Sequence, residues 1–283
     1  MKNGLAIWHY PHRSVLENVM FFVNQGFDSV SILGSDMDKI CSDEDQAEQL
    51  ACFVIENGVD LTVHHKLPIN HSEEQVSSFR ATVDRFAAWQ SEYKCLAVLS
   101  FDVPQDIRDN ITPYIDYVMA SVPFSKIAVE DFGLNAAEKK QIEHLKSDER
   151  FGYLVDIGHM YIRIRGKNSD GFTLFANSPD ECPINEQPSY NDFLKALRSK
   201  DFHIFEVHLH NNDGINDMHY FFDDGTLDIE MIADVLREIS FDGILTIESA
   251  PGFKFKCVYP ESDKRILKTY ALWKNICAND SSV

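Results

Sequence analysis

Hydrophobic positions along the 283-residue chain fall into two alternating kinds of segment. Short runs rich in β-branched residues read as strands: GLAIWHY (4–10), DSVSILG (28–34), DLTVHHK (60–66), CLAVLSFD (95–102), SKIAVEDF (125–132), YLVDIGH (153–159), HIFEVHLH (203–210) and GILTIES (243–249). Between them apolar residues recur at helical spacing over 13–25, 43–57, 73–92, 104–118, 136–147, 190–199, 229–239 and 260–278. Ser72 and Asp228 stand where N-caps belong. Gly26 and Gly58 follow two helical patterns at the place of a left-handed C-terminal turn.

Eight strands, each followed by a helix, with no linker or change of composition midway, predict an α/β chain forming one (β/α)8 TIM barrel over residues 1–283. A doubly wound sheet would put a glycine-rich turn after its first strand, where this chain has WHYPHR instead. One connection is out of scale. Residues 160–188, after the sixth strand, form a long insertion, and Phe172, Leu174 and Phe175 within it argue against disorder. It reads as a lid or as a subunit contact in a homo-oligomer. Arg163, Arg165 and Lys167, near its start, are either phosphate contacts or solvated charges.

Charge narrows the partners. Forty-five acids against 26 bases give a net charge of −19. That field repels polyphosphate and disfavours a nucleic-acid partner, whereas cations and small polar molecules are easier to bind. The six cysteines form no C-x-x-C pair, so no zinc knuckle is expected. The N-terminal apolar run is too short for a signal peptide, and no stretch approaches the roughly 20 apolar residues of a membrane helix, so a cytoplasmic protein is expected.

The C-terminal strand ends of such a barrel converge on one mouth. Here they carry His9; His64 and His65; Asp102; Glu130; Asp156 and His159; His208 and His210; and Glu248. Each has a bland reading: Asp156 as a loop cap, His208 as an inward hydrogen-bonded histidine, Asp217 and His219 as a solvated turn. Together they do not, because a ring of buried acids without a cation repels itself. Carboxylates mixed with imidazoles suit a divalent metal: Mn²⁺, Zn²⁺, Co²⁺ or Mg²⁺. Such an ion could hold a carbonyl and its neighbouring hydroxyl and stabilise an enediolate, while Glu130 and Glu248 withdraw and return a proton.

The set VED (129–131), DIGH (156–159), HLHNND (208–213), DMH (217–219) with DGTLD (224–228), and TIE (246–248) resembles the xylose isomerase-like TIM barrel superfamily. That superfamily holds sugar (phosphate) isomerases and epimerases and endonuclease IV. The resemblance follows strand order over nearly the whole chain, apart from 160–188. It implies a metal bound by Glu130, Asp156, His210 and Glu248, with the two glutamates as catalytic acid and base and His159 touching substrate. His9, His65, Asp102, His208 and Asp213, near the same mouth, are expected to join His159 as substrate contacts. Where ketose 3-epimerases carry an arginine and a further glutamate, this chain has Asn216 and Ala136, which leaves the substrate open.

The chain is also similar to endonuclease IV, which gathers three zinc ions. His64, His159, Asp217 and His219 match its additional ligands, although Asp102 stands where that enzyme has a histidine. Two activities are therefore expected to compete: a metal-dependent isomerase or epimerase of a small sugar or sugar derivative, and a multinuclear metallohydrolase or phosphoesterase. A barrel kept only for binding is a third, favoured only if the purified protein holds no metal and the acids prove paired with Lys66, Arg163 or Arg165.

Overall fold

The computed structural model describes residues 1–130, 136–166, 188–250 and 261–278. Eight parallel strands close into a barrel in chain order: β1 (Lys2–Ala6), β2 (Ser29–Leu33), β3 (Asp60–Lys66), β4 (Leu96–Asp102), β5 (Lys126–Glu130), β6 (Phe151–Asp156), β7 (His203–Leu209) and β8 (Ile244–Ile247). β8 pairs back onto β1, with Leu5 opposite Ile247, so the sheet has no free edge.

Around it lie α1 (Val15–Asn24), α2 (Gly34–Cys41), α3 (Glu44–Asn57), α4 (Glu73–Tyr93), α5 (Thr112–Ser121), α6 (Ala136–Ile142), α7 (Ile157–Gly166), α8 (Tyr190–Arg198), α9 (Ile229–Glu238) and α10 (Glu261–Ala278). The expected caps are in place. The Ser72 and Asp228 side chains accept from the amides of Gln75 and Met231, and Gly58 closes α3 at φ 62°. Each cap satisfies a helix-end group that would otherwise lack an intrahelical partner.

Alternation along the strands separates two apolar regions. One face of each strand joins the helices in the main core, with Phe22, Phe86, Phe101, Phe151 and Trp273 among its largest buried members. A separate cluster of Val98, Ala128, Leu154, Phe205 and Ile244 sits on the opposite face. Two residues further along their strands stand Ser100, Glu130, Asp156 and Thr246, so this cluster fills the barrel interior beneath the polar layer. A register shift where β6 meets β7 leaves Phe205 between the pairs Tyr153–Ile204 and Leu154–Glu206. This bulge turns Glu206 inward, next to Phe205.

Three expectations need correction. The first strand ends at Ala6, and 7–9 form a 3-10 turn that carries Trp8 and His9 over the mouth. An unexpected helix, α2, follows β2; with Met37 and Ile40 as its apolar contacts, it lacks the length of stripe that identifies a helix from pattern. The expected strand 153–159 stops at Asp156, and the chain turns at once into α7, so the start of the 160–188 insertion is helical. Residues 167–187 lie outside the described residues. No helix among the described residues is long and apolar enough to cross a membrane.

Candidate active site

Nearly every strand end delivers a charged or imidazole group to one cavity of about 480 Å³. Its walls are Trp8 from β1's end; Leu33, Gly34 and Ser35 from the β2–α2 junction; His64, His65 and Lys66 from β3; and Asp102, Glu130, His159, His208, Asp217, His219 and Glu248. Trp8 lies over His64 with ring centroids 6.0 Å apart.

Glu130, at the end of β5, is gripped on both oxygens: Oε1 lies 3.1 Å from His159 Nδ1, and Oε2 lies 3.5 Å from His64 Nε2. Asp156 ends β6 and caps α7, its Oδ1 accepting from the His159 amide at 2.7 Å while facing His210 Nε2 at 3.3 Å. The cap reading of Asp156 is therefore correct, and the same oxygen also meets an expected ligand. Glu248 Oε2 lies 3.2 Å from His208 Nδ1, and Oε1 lies 3.9 Å from His9 Nε2.

The loop after β7 is built by its own polar residues. Asn211 pairs with Tyr220 in a short antiparallel bridge, and its side chain holds the carbonyls of Phe222 and Leu227. Asn212 reaches the Gly158 carbonyl, and Asp213 accepts from the amides of Ile215 and Asn216. Asp213 is thus occupied in shaping the turn, and it is not among the residues lining the cavity. The loop returns Asp217 and His219 to the mouth: Asp217 Oδ2 is 3.1 Å from His159 Nε2, and Oδ1 is 3.2 Å from His219 Nε2. His219 takes a left-handed backbone at φ 46°, uncommon for a residue with a Cβ, and its ring stacks on His210 at 3.9 Å.

His65 behaves differently from its neighbour. Its ring packs among Phe79, Phe86 and Phe101, and burial followed by the nearby His64 pushes its pKa down to about 4. At neutral pH it is an uncharged wall of the cavity.

Charge is arranged as interleaved opposites. Burial pushes the carboxyls of Asp102, Asp156, Asp217 and Glu248 up, but the facing imidazoles outweigh it and hold all four below the usual range. Burial and the neighbouring Asp102 instead raise Glu130 well above it. Burial lowers His159, His208 and His219, and the surrounding carboxylates more than reverse this, taking His219 to about 9.

Whether these residues fit a metal can be judged from atoms that stay unsatisfied. Asp156 Oδ2 and His210 Nε2 are buried and make no hydrogen bond among the described residues. Orphaned acceptors of this kind are costly unless something compensates them. Sets of ligand atoms lying within 4.8 Å of one another are His64, Asp102 and Glu130; Glu130, Asp156 and His159; Asp156, His208 and Glu248; His9, His219 and Glu248; and His159, His210, Asp217 and His219. No one of these sets holds the expected quartet: Asp156 shares one with Glu130 and another with Glu248, whereas His210 falls in the set of His159, Asp217 and His219, which meets the Glu130–Asp156 set at His159. The oxygen and nitrogen donor set fits a divalent ion.

Comparisons with known proteins agree with this architecture. The family model described as "Xylose isomerase-like TIM barrel" matches residues 130–266, the segment that carries Glu130, Asp156, His210 and Glu248. The chain folds as a closed TIM barrel, and its residues 130–266 are similar to the xylose isomerase-like family. Its fold is similar to that of D-psicose 3-epimerase from Clostridium cellulolyticum H10 (TM-score 0.66, 11% identity, covering 98% of this chain and 99% of that one). It is similar to 3-keto-D-glucoside 4-epimerase from E. coli (0.66, 15%, 97% and 99%) and to a putative xylose isomerase from Rhodospirillum rubrum (0.67, 14%, 97% and 99%). An uncharacterized protein of Methanocaldococcus jannaschii is 31% identical over 58 residues, and the match takes in 20% of this chain and 20% of that protein.

Sequence reasoning missed three features of this barrel. Trp8 was readable from its place directly before His9, Gly158 from its place between Asp156 and His159, and Glu206 from being a carboxylate inside an apolar strand. Only Gly158 falls within a quoted motif, DIGH, and none of the three is an expected ligand.

Proposed function

We propose that this chain is a divalent-metal-dependent isomerase or epimerase acting on a small sugar or sugar derivative. The observation that carries the reading is the pair Glu130 and Glu248. They come from strands separated by β6 and β7, line the same cavity, and sit in surroundings that drive their carboxyls in opposite directions. Two carboxyls pushed apart in this way are a recurrent acid/base arrangement. Structural likeness to sugar epimerases supports the same chemistry.

Glu130, Asp156, His210 and Glu248 would hold the ion, which when bound supplies positive charge beside a carbonyl and eases removal of the adjacent proton. The protein's own residues do the rest. Glu248 Oε1, on the His9 side, accepts the proton from carbon, and the Glu130 carboxyl returns one. Trp8 and His65 wall off the cavity, while Lys66 and Asp102 contribute polar contacts at its rim. His159, between Glu130 and Asp217, orients a substrate hydroxyl.

Turnover on a panel of ketoses and aldoses tests this. Glu130→Gln and Glu248→Gln should each lose at least about 100-fold, the scale of a lost general acid or base, with unchanged circular dichroism. Full turnover by both variants would refute the assignment.

A second reading is favoured by one observation: His159, His210, Asp217 and His219 offer four ligand atoms close enough for an ion of their own. This suits a multinuclear metallohydrolase of phosphate esters. Two or three zinc equivalents per chain, with hydrolysis of a phosphoester, would establish it in place of the first.

A further inference from the structure

Beneath the cavity lies a carboxylate that the proposed chemistry does not use. Glu206 is completely buried inside the barrel, on β7, two residues below His208. Its Oε1 accepts from Thr62 Oγ1 of β3 at 3.0 Å and from Thr246 Oγ1 of β8 at 2.6 Å, so it is tied to the neighbouring β8 and, across the barrel interior, to β3. The same oxygen lies 3.4 Å from His208 Nε2. The other ring nitrogen of His208, Nδ1, lies 3.2 Å from Glu248 Oε2. The order rising from the barrel interior to the mouth is therefore Glu206, held by the two threonine hydroxyls, then His208, then Glu248.

A buried carboxylate among apolar residues is expensive, and a hydrophobic residue of similar volume would pack there more favourably. The bulge at Phe205, which turns Glu206 inward, puts it under the one histidine that joins the interior to Glu248. His208 could otherwise rotate or present its other face. With Glu206 fixed from two directions, its ring plane and the nitrogen directed at Glu248 are set.

We propose that Glu206 is a positioning residue: held by Thr62 and Thr246, it fixes the His208 ring and through it aims the Glu248 carboxylate at a divalent ion in the cavity. This rests on the reading of Glu248 as a metal ligand. Outer partners that orient ligating groups typically alter metal affinity by about 10- to 100-fold when removed.

Glu206→Gln keeps the shape and removes the charge. Chelator competition with Co²⁺ should show a loss of affinity on that scale, together with a shifted visible cobalt spectrum, while the melting temperature of the metal-free protein stays level or rises. Thr246→Val leaves the carboxylate but frees it on one side, and should give a smaller loss in the same direction. A Glu206→Gln variant with wild-type affinity and spectrum would overturn the proposal while leaving the metal reading intact. A fall in affinity matched by a fall in metal-free melting temperature would assign Glu206 to the fold instead. Wild-type protein that binds no Co²⁺ would overturn the metal reading, and with it this role.

Discussion

Gly158→Ala perturbs the site without changing any candidate ligand. Gly158 is the second residue of α7, and a Cβ built there would lie 2.2 Å from His210 Cε1 and 2.3 Å from Nε2. Carbon atoms normally rest about 3.5–4.0 Å apart, so the added methyl demands a displacement of more than about 1 Å. The His210 ring has little room to yield: it is completely buried, and its neighbour on the stacked side is the His219 ring, at 3.9 Å and 14°. Two effects of opposite sign compete. Glycine to alanine in a helix interior gains up to about 1 kcal/mol, less in a first turn. Overpacking a filled interior costs about 1–3 kcal/mol, so the steric effect wins and a net loss of up to about 2 kcal/mol is expected. For a chain of this length that is a fall in Tm of roughly 2–8 °C. Metal affinity, measured by titration calorimetry with Mn²⁺ and Zn²⁺, should fall by about 10- to 100-fold because His210 Nε2 is displaced. Wild-type affinity with an unchanged or higher Tm would show that His210 is not held against Gly158, and would remove it from the ligand set.

Two further outcomes follow from the same geometry. His219 is raised to about 9 from 6.5, burial being outweighed by Glu248 and Asp217. A folded value above the unfolded one means that the imidazolium contributes stability that is complete below about pH 6.5 and lost as pH rises through about 9. Chelator-treated protein should therefore melt at a lower temperature at pH 9 than at pH 6.5 in a scan of Tm against pH, and a flat or rising profile would contradict the pairing. Asp217→Asn separates the two functional readings: a one-ion isomerase keeps its bound equivalent by elemental analysis, whereas a multinuclear site loses at least one.

The barrel was legible because its signal is redundant. Eight short apolar runs rich in β-branched residues alternating with helical stripes constrain one another, and caps such as Ser72 and Asp228 mark boundaries by a local hydrogen bond that needs no tertiary context. The cavity's charged residues were legible for a similar reason, since a carboxylate or histidine at a strand end stands out against apolar neighbours. Asp102, Glu130, His159, His208 and Glu248 converge on the cavity as strand order requires, and Asp156 stands behind them against His159 and His210. Other features depend on three-dimensional neighbours. α2 is short and mostly polar, so only its contact with β3 and α4 identifies it. His65 and His64 are adjacent in sequence, yet the His65 ring packs among Phe79, Phe86 and Phe101 at the cavity wall while His64 faces Asp102 and Glu130. Glu206 could be seen as an oddity in HIFEVHLH, but its partners Thr62 and Thr246 come from distant segments.

The central claim is that side chains from the ends of four strands, β5 to β8, surround a shared divalent ion. Anomalous diffraction from crystals grown with Mn²⁺, and separately with Zn²⁺, tests it most directly. The account predicts an anomalous peak within coordination distance of Asp156, His210 and Glu248, with Glu130 completing the shell. Crystals with either metal that show no peak among these residues, their carboxylates and imidazoles still paired only with one another, would contradict it.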